Sequence, residues 1–244
     1  MTPFGGGEGE DSFSEQTINN YQTAIKKVPA TEIRKIDDQT FLGFWHITET
    51  IPELLAQLKN VRPAKDIPAY KSEVRQKEWL ASRILAYQLL EKFSAEKFVL
   101  HSNEHGKPYF PGTNLHVSIS QSAELVGVVI SSAFEVGIDI EKLKPKALKL
   151  AFKFLSEQEL TYIQNDETKA CLYWSAKETL FKMYSRKQLH FIENLNLSPV
   201  PEAAKGSFTG RVKTANFDRS YTVHYEIMPH FILTYCLASP QDFS

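Results

Sequence analysis

The sequence is 244 residues long and 42% hydrophobic, which is enough for one large domain or two small ones, each with its own core. Its 28 Lys and Arg residues nearly balance its 29 Asp and Glu residues, which argues against the broad positive surface that non-specific nucleic-acid binding needs. Its longest apolar runs are about a third of the roughly 20 residues that a transmembrane helix requires, so we expect no membrane span.

The N-terminal residues and the cysteines indicate a protein of the cell interior. The first residues, MTPFGGGEGEDSFSEQ, lack a basic region followed by an apolar stretch, so they do not resemble a secretion signal. Cys171 and Cys236 are far apart, and neither lies in a pattern with zinc-ligand spacing. We therefore expect both cysteines to be reduced core residues of a cytoplasmic protein.

In the first half of the chain we expect a tail followed by a lobe of helices and strands. Residues 1–20 contain several glycines among acids and predict a flexible tail, with ordered structure beginning at 21–28. The pattern of apolar residues then predicts strands at 41–47, 115–120 and 125–131, helices at 52–58 and 72–93, and a turn at 105–108.

The second half of the chain begins with an alternating stretch. Val136, Ile138 and Ile140 point to one side of a predicted strand at 135–141, and the residues between them point to the other. The pattern after it predicts helices at 147–155, 157–164 and 168–184 and strands at 221–227 and 231–237. The predicted fold class is α+β with two lobes, residues 21–132 and 133–244, and a ligand site in the cleft between them.

Two segments carry residues suited to phosphate chemistry. Asp139 and Glu141 share one face of the predicted strand, in the segment GIDIE. Glu178 and Lys182 are one turn apart on a predicted helix, in the segment WSAKETLFK. The three carboxylates are oxygen ligands of the kind that Mg²⁺ prefers, and the lysine adds a positive charge that can address the same ligand. Taken separately, the segments are also compatible with a surface ion pair on a helix and an exposed strand.

Together, the two segments resemble the paired signatures of the 4'-phosphopantetheinyl transferase superfamily, (V/I)G(V/I)D and WxxKExxxK. The intervening FKFLSEQEL is similar to the family's FxxxExxxL helix. Further upstream, EWLASRIL resembles its LAGR-type helix, GKPY its GKP turn and VSISQS its SHS strand end. The similarity runs from about residue 70 to residue 190. The chain length matches the surfactin-synthetase type, in which one chain forms two pseudo-symmetric α+β lobes.

This resemblance implies an enzyme that moves the 4'-phosphopantetheine arm of coenzyme A to a serine of an apo acyl or peptidyl carrier protein and releases adenosine 3',5'-bisphosphate. It implies that Mg²⁺ is held by Asp139, Glu141 and Glu178. Glu178 is the candidate for accepting the serine proton, and Lys182 would offset charge on the leaving phosphate. The two-lobed type also implies a monomer, with coenzyme A and the carrier as partners and with no nucleic acid or membrane involved.

By the same resemblance, five residues would contact coenzyme A. Arg83, Lys107, Ser120 and Gln121 would hold its nucleotide end, chiefly the 3'-phosphate, and Lys177 would lie near the leaving phosphate. The family usually has His where this chain has Gln121, so one contact to the 3'-phosphate is expected to be altered or lost.

Two other functions use the same residues. A magnesium-dependent nucleotide phosphohydrolase acting on coenzyme A would employ the three acids with water as the nucleophile. A binding protein that retains coenzyme A but has lost transfer would explain Gln121, although Asp139, Glu178 and Lys182 are intact. A run of lysines in residues 142–153 is typical of a solvated face, and it would also attract an acidic carrier protein.

Overall fold

A computed structural model describes residues 31–61, 67–68, 70–186 and 189–240. The tail predicted at 1–20 and the start of order predicted at 21–28 lie outside the described residues. None of the helices in the described ranges is both long enough and apolar enough to cross a bilayer.

The N-terminal lobe is an antiparallel sheet with two helices on one face. Its sheet has the strand order β1-β2-β6-β5-β4-β3. The elements in chain order are strands β1 (Thr31–Asp37) and β2 (Thr40–His46), helices α1 (Ile51–Val61) and α2 (Glu73–Leu90), and strands β3 (His101–Ser102), β4 (Pro108–Tyr109), β5 (His116–Ser122) and β6 (Leu125–Ser131).

The C-terminal lobe is a second antiparallel sheet packed against helices, with the strand order β7-β11-β10-β9-β8. The elements are strand β7 (Glu135–Lys142), helix α3 (Lys146–Lys149), a 3₁₀ turn (Ala151–Lys153), helices α4 (Glu157–Ile163), α5 (Glu167–Tyr184) and α6 (Phe191–Asn194), and strands β8 (Leu195–Leu197), β9 (Lys205–Thr214), β10 (Phe217–Ile227) and β11 (Phe231–Ala238). The predicted α+β fold with two lobes is confirmed.

Each long helix begins at a side-chain cap. The Ser72 hydroxyl accepts a hydrogen bond from the backbone N–H of Arg75 at the start of α2, and the Asp166 carboxylate accepts one from the N–H of Lys169 at the start of α5. Such caps satisfy N–H groups that have no partner within the helix. Helix α5 ends at Ser185, which adopts the left-handed conformation with φ of 54°.

The two lobes share a hydrophobic core between their sheets. Strands β2 and β6 of the first sheet pack there against β7 and β11 of the second, and the buried side chains are Leu42, Phe44, Leu125, Val129, Val136, Ile138, Ile140, Phe231 and Leu233. Gly127 permits this close approach, because a Cβ atom there would lie 2.4 Å from Cδ1 of Ile140. The prediction that Val136, Ile138 and Ile140 point to one side of the strand is therefore confirmed, and that side is buried.

A row of serines joins the lobes beside this core. Strand β7 pairs with β11 along one edge, and its other edge lies against β5. There the hydroxyls of Ser118, Ser120 and Ser122 accept hydrogen bonds from the backbone N–H groups of Ile138, Ile140 and Lys142 at 3.1, 3.2 and 3.0 Å. We call these three residues the serine row. It satisfies strand donors that would otherwise be buried without a partner.

Three parts of the fold differ from the sequence prediction. The helix predicted at 147–155 is a four-residue helix followed by a 3₁₀ turn. Strands β1, β8 and β9 were not predicted, although residues 205–214 alternate between exposed and buried positions as a half-buried strand does. Strand β10 begins at Phe217, four residues before the predicted start.

Candidate active site

The two segments singled out in the sequence meet where α5 packs on β7. The face of β7 that carries Asp139 and Glu141 lies against this helix. Gly137 is needed on that face, because an added Cβ atom would lie 2.9 Å from the carbonyl oxygen of Thr179 and 3.0 Å from the Met183 side chain. The close approach brings Lys182 and Trp174 of α5 within reach of the two carboxylates.

Asp139 is at the centre of the site and is only 4% exposed. Its Oδ1 atom accepts hydrogen bonds from Nζ of Lys182 at 2.8 Å and from the hydroxyl of Ser120 at 2.9 Å. The Lys182 ammonium also donates to the carbonyl oxygen of Ile138 at 2.8 Å. The Oδ2 atom of Asp139 is buried and has no hydrogen-bond partner within the described part of the chain.

Glu178 and Glu141 complete a group of three acids. Burial and the negative charges of Asp139 and Glu141 raise the pKa of Glu178 to about 7. The positive charge of the nearby Lys182 acts to lower it. Burial and the charge of Asp139 also raise the pKa of Glu141, whose Oε1 accepts a 2.8 Å hydrogen bond from Nε1 of Trp174. The carboxylate of Asp139 therefore lies close enough to both glutamates to oppose their ionisation.

The donor set is compatible with a magnesium ion. Among the residues that the structure describes, no group of three His, Cys, Asp or Glu side chains is already arranged to hold a metal. Mg²⁺, however, usually takes only one or two carboxylates and completes its shell with waters and substrate phosphates. The bare, buried Oδ2 of Asp139 and the mutual repulsion of the acids fit such a partial set of ligands.

A cleft of about 130 Å³ lies between the lobes beside this group of acids. It is lined from the first lobe by the turn before β4 and by part of β5, and from the second lobe by the end of α5. The residues are His105, Gly106, Lys107, Pro108, Ser118, Ile119, Phe181, Lys182, Ser185 and Arg186. Two predicted residues, Lys107 and Lys182, thus face one cleft, and the chain adds His105 and Arg186, which sequence reasoning missed.

The turn that presents Lys107 is built by a single side chain. The Oδ1 atom of Asn103 accepts hydrogen bonds from the backbone N–H groups of His105 and Lys107, both at 2.9 Å. Gly106 between them has φ of +83°, a conformation that side chains disfavour. Burial lowers the pKa of the Lys107 ammonium, and the charge of Glu135 opposes this effect. The turn predicted at 105–108 is therefore present.

Arg83 and Gln121 do not line this cleft. The Arg83 guanidinium stacks over the ring of Trp79, 4.5 Å from its centroid, and donates to the hydroxyl of Ser82 at 3.1 Å. Burial lowers its pKa. Gln121 is exposed on β5, opposite Val126 of β6. Both side chains thus lie outside the group formed by Lys107 and Lys182.

The structure places Ser120 and Lys177 in positions that differ from the expected contacts with coenzyme A. The Ser120 hydroxyl is engaged by Asp139 and by the backbone of Ile140. The Lys177 side chain is completely buried, and its ammonium donates to Glu159 at 2.7 Å and to the carbonyl oxygen of Phe191 at 2.9 Å. A ligand cannot reach Lys177 in this conformation, because the ammonium lies inside the packed second lobe.

Comparison with protein families gives two matches in chain order. Residues 64–131 match the 4'-phosphopantetheinyl transferase N-terminal domain. Residues 135–236 match the 4'-phosphopantetheinyl transferase superfamily. The boundary between the two matches falls between strands β6 and β7, and together they take in most of the chain from residue 64 to residue 236.

Several curated proteins are similar to parts of the chain. A 4'-phosphopantetheinyl transferase of Bacillus subtilis is 36% identical over 85 residues, which are 32% of this chain and 38% of that protein. The Sfp transferase of Bacillus subtilis strain 168 is 30% identical over 148 residues, 57% of this chain and 62% of the relative. The AcpT transferase of Salmonella typhi is 30% identical over 117 residues, 45% of this chain and 59% of the relative.

The chain thus spans between 38% and 62% of the length of these curated relatives. The superfamily match at residues 135–236 contains both segments that meet at the group of acids. Taken with the two family matches, these similarities show that the chain belongs to the 4'-phosphopantetheinyl transferase superfamily.

Proposed function

We propose that this protein transfers the 4'-phosphopantetheine arm of coenzyme A to a serine of an apo carrier protein. The observation that carries the proposal is the contact between the two family motifs, in which Lys182 of the second binds Asp139 of the first. Glu178 lies close to both and has its pKa raised to about 7. The carboxylates of Asp139 and Glu178 and the ammonium of Lys182 thus lie together beside a cleft. Its lining includes the basic residues His105, Lys107, Lys182 and Arg186.

The proposed reaction is a phosphoryl transfer. The hydroxyl oxygen of the carrier serine attacks the β-phosphorus of coenzyme A, and a new P–O bond forms. The bond from that phosphorus to the bridging oxygen breaks, and adenosine 3',5'-bisphosphate leaves with the electron pair. Glu178 accepts the serine proton, because its carboxylate lies beside Asp139 and Lys182, where the transfer is proposed to occur. Lys182 offsets negative charge on the leaving group.

We propose that Asp139, Glu141 and Glu178 hold Mg²⁺ in this reaction. The bare Oδ2 atom of Asp139 and the raised pKa values of both glutamates support this assignment. When bound, the ion neutralises charge on the pyrophosphate of coenzyme A. The protein's own contribution is to hold Asp139 through Ser120 and Lys182, and Glu141 through Trp174.

The nucleotide end of coenzyme A is proposed to enter the cleft between the lobes. Lys107 approaches from the first lobe, and Lys182 approaches from the second. Two ammonium groups on opposite walls suit a ligand with several phosphates. Arg83 and Gln121 remain candidates for the 3'-phosphate at the outer end of the ligand. Because both walls belong to one chain, we propose that the protein acts as a monomer.

The surface around α3 is proposed to receive the carrier protein. Phe152 is 62% exposed, and the neighbouring exposed lysines are Lys144, Lys146, Lys149 and Lys153. An apolar ring surrounded by cations is complementary to an acidic partner with an apolar patch. This surface follows β7 directly, so a carrier bound there would present its serine near Asp139 and Glu141.

One experiment tests the proposed function. The protein is incubated with coenzyme A, Mg²⁺ and an apo carrier, and the carrier is weighed by mass spectrometry. We expect a gain equal to one phosphopantetheine arm, together with adenosine 3',5'-bisphosphate in the supernatant. An Asp139→Ala variant and a reaction in excess EDTA should leave the carrier unmodified. Breakdown of coenzyme A without a carrier would instead indicate a phosphohydrolase, and intact coenzyme A with an unmodified carrier would indicate a binding protein.

A further inference from the structure

The geometry points to Ser120 as a positioning residue that turns the Asp139 carboxylate toward the metal. This inference rests on the proposed function and adds a role to one member of the serine row. By the family resemblance, Ser120 would contact coenzyme A. The contacts of its hydroxyl place it behind Asp139 instead.

The Ser120 hydroxyl is engaged on both sides. A serine hydroxyl can donate one hydrogen bond, and it can accept others through its lone pairs. Here it accepts from the backbone N–H of Ile140 at 3.2 Å and donates to Oδ1 of Asp139 at 2.9 Å. Ser120 is 7% exposed, so its hydroxyl hydrogen points between the two lobes and not toward a ligand in solvent.

The two carboxylate oxygens of Asp139 therefore differ in their partners. Oδ1 receives two donors, the Ser120 hydroxyl from the first lobe and the Lys182 ammonium from the second. Oδ2 receives none among the described residues and is buried. A carboxylate fixed in this way offers one oxygen as a ligand in one direction. Such partners of metal ligands commonly set both the orientation of the ligand and its affinity for the metal.

Ser118 provides a matched control within the same strand. Its hydroxyl accepts from the N–H of Ile138 at 3.1 Å, and it is 4% exposed. Among the described hydrogen bonds, it makes none to a carboxylate. Replacing either serine with alanine removes one bond of the serine row, but only the change at Ser120 also removes a donor to Asp139.

The test compares the binding of Mn²⁺ alone to the full-length parent and its variants, followed by electron paramagnetic resonance of the free ion. We expect S120A to weaken Mn²⁺ binding by roughly tenfold or more and S118A to change it by less than about twofold. S120A should lose at least as much thermal stability as S118A, since each leaves one backbone N–H of β7 without its acceptor and S120A also removes a donor to Asp139. A second pair, S120T and S120V, keeps the side-chain shape constant, and only S120T should bind Mn²⁺ like the parent.

Two results would overturn the inference. If S120A and S118A bind Mn²⁺ equally well, or S120T and S120V do, the Ser120 hydroxyl serves only to join the lobes, while the proposed transfer reaction stands. If the parent itself binds no Mn²⁺, both this inference and the assignment of a metal to Asp139 fail. The mass of the carrier, measured separately, then decides whether transfer occurs.

Discussion

Lys177 and Glu159 form an ion pair inside the second lobe, with Nζ and Oε2 2.7 Å apart and neither side chain more than 3% exposed. Oε1 of the same glutamate accepts the backbone N–H of Leu197, and Oε2 also accepts that of Ser156. The pair thus ties α4, α5 and β8 together. It lies one residue along α5 from Glu178, so it supports the helix that carries the site.

From this pair we predict a large loss of stability in Glu159→Gln. The change leaves a buried ammonium without its counter-charge, and breaking such a pair from one side costs about 3 to 5 kcal/mol. Urea unfolding monitored by circular dichroism measures the free energy of unfolding. Glu157→Gln, an exposed position of the same helix, serves as the control and should unfold like the parent. A Glu159→Gln protein as stable as this control would contradict the prediction.

Glu178→Gln should abolish transfer while the fold is retained. The substitution keeps the size of the side chain but removes the proposed base and one negative charge from the site. Single-turnover mass spectrometry of the carrier measures the rate, and circular dichroism checks the fold. Glu167→Gln, at the exposed start of the same helix, should leave the rate unchanged. A rate within about threefold of the parent, equal to about 0.65 kcal/mol in the barrier, would exclude Glu178 from the chemistry.

Glu178 should also make the metal-free protein more stable at mildly acidic pH. Its pKa rises from 4.5 to about 7 on folding, so the folded state binds the proton more tightly than the unfolded state does. This contribution to stability is fully present below pH 4.5 and is lost as the pH rises through 7. Melting temperatures in EDTA between pH 5 and pH 8 measure it. The Glu178→Gln protein should show a flatter profile, and identical profiles would refute the raised pKa.

Reversing two charges on the surface around α3 should slow modification of an acidic carrier. In Lys144→Glu/Lys146→Glu, attraction of the carrier is replaced by repulsion, and we expect the second-order rate at low salt to fall by about tenfold. The effect should shrink as salt is added. Lys92→Glu/Lys97→Glu, which changes two exposed lysines after α2, is the control. Equal rates for the two double variants would place the carrier elsewhere.

Gln121→His should tighten the binding of coenzyme A, mainly below pH 6.5, where the imidazole is charged. A charge-assisted bond to the 3'-phosphate is stronger than one from a neutral amide by about 1 kcal/mol, which corresponds to roughly fivefold in affinity. Calorimetry at pH 6 and pH 8 measures the effect. Coenzyme A lacking its 3'-phosphate is the control ligand and should bind both proteins equally. If intact coenzyme A also shows no difference at either pH, Gln121 does not face that phosphate.

The helices and the strands of the shared core could be predicted because their apolar residues recur with one regular period, about 3.6 residues in a helix and 2 in a strand. The 147–155 segment could not, since Ala151 and Phe154 are buried while Phe152 and Lys153 between them are exposed, a pattern that a short helix and a 3₁₀ turn also produce. Strand β1 was missed because most of its residues are charged or exposed, as is common in an edge strand.

In the site, strand alternation paired Asp139 with Glu141, and helical spacing paired Glu178 with Lys182. The resemblance to the two family motifs joined these pairs, and the structure brings the four side chains close together. The same reasoning could not separate Lys177 from them, because the depth of a lysine depends on a partner, Glu159, that folding brings from another helix. The role of Ser120 was hidden for a similar reason. A period of two in SISQS marks one strand face, but only the structure reveals that this face lies against the edge of β7.

The serine row also limits how the two lobes can move. Its acceptors recur at every second residue of β5, and the apolar side chain of Ile119 lies between two of them. Sliding one lobe along the other by a single residue would move the three hydroxyls away from the N–H groups of Ile138, Ile140 and Lys142. The three hydrogen bonds of the serine row therefore form together in one register of β5 against β7. Because Lys107 belongs to the first lobe and Lys182 to the second, their separation across the cleft depends on the register of β5 against β7.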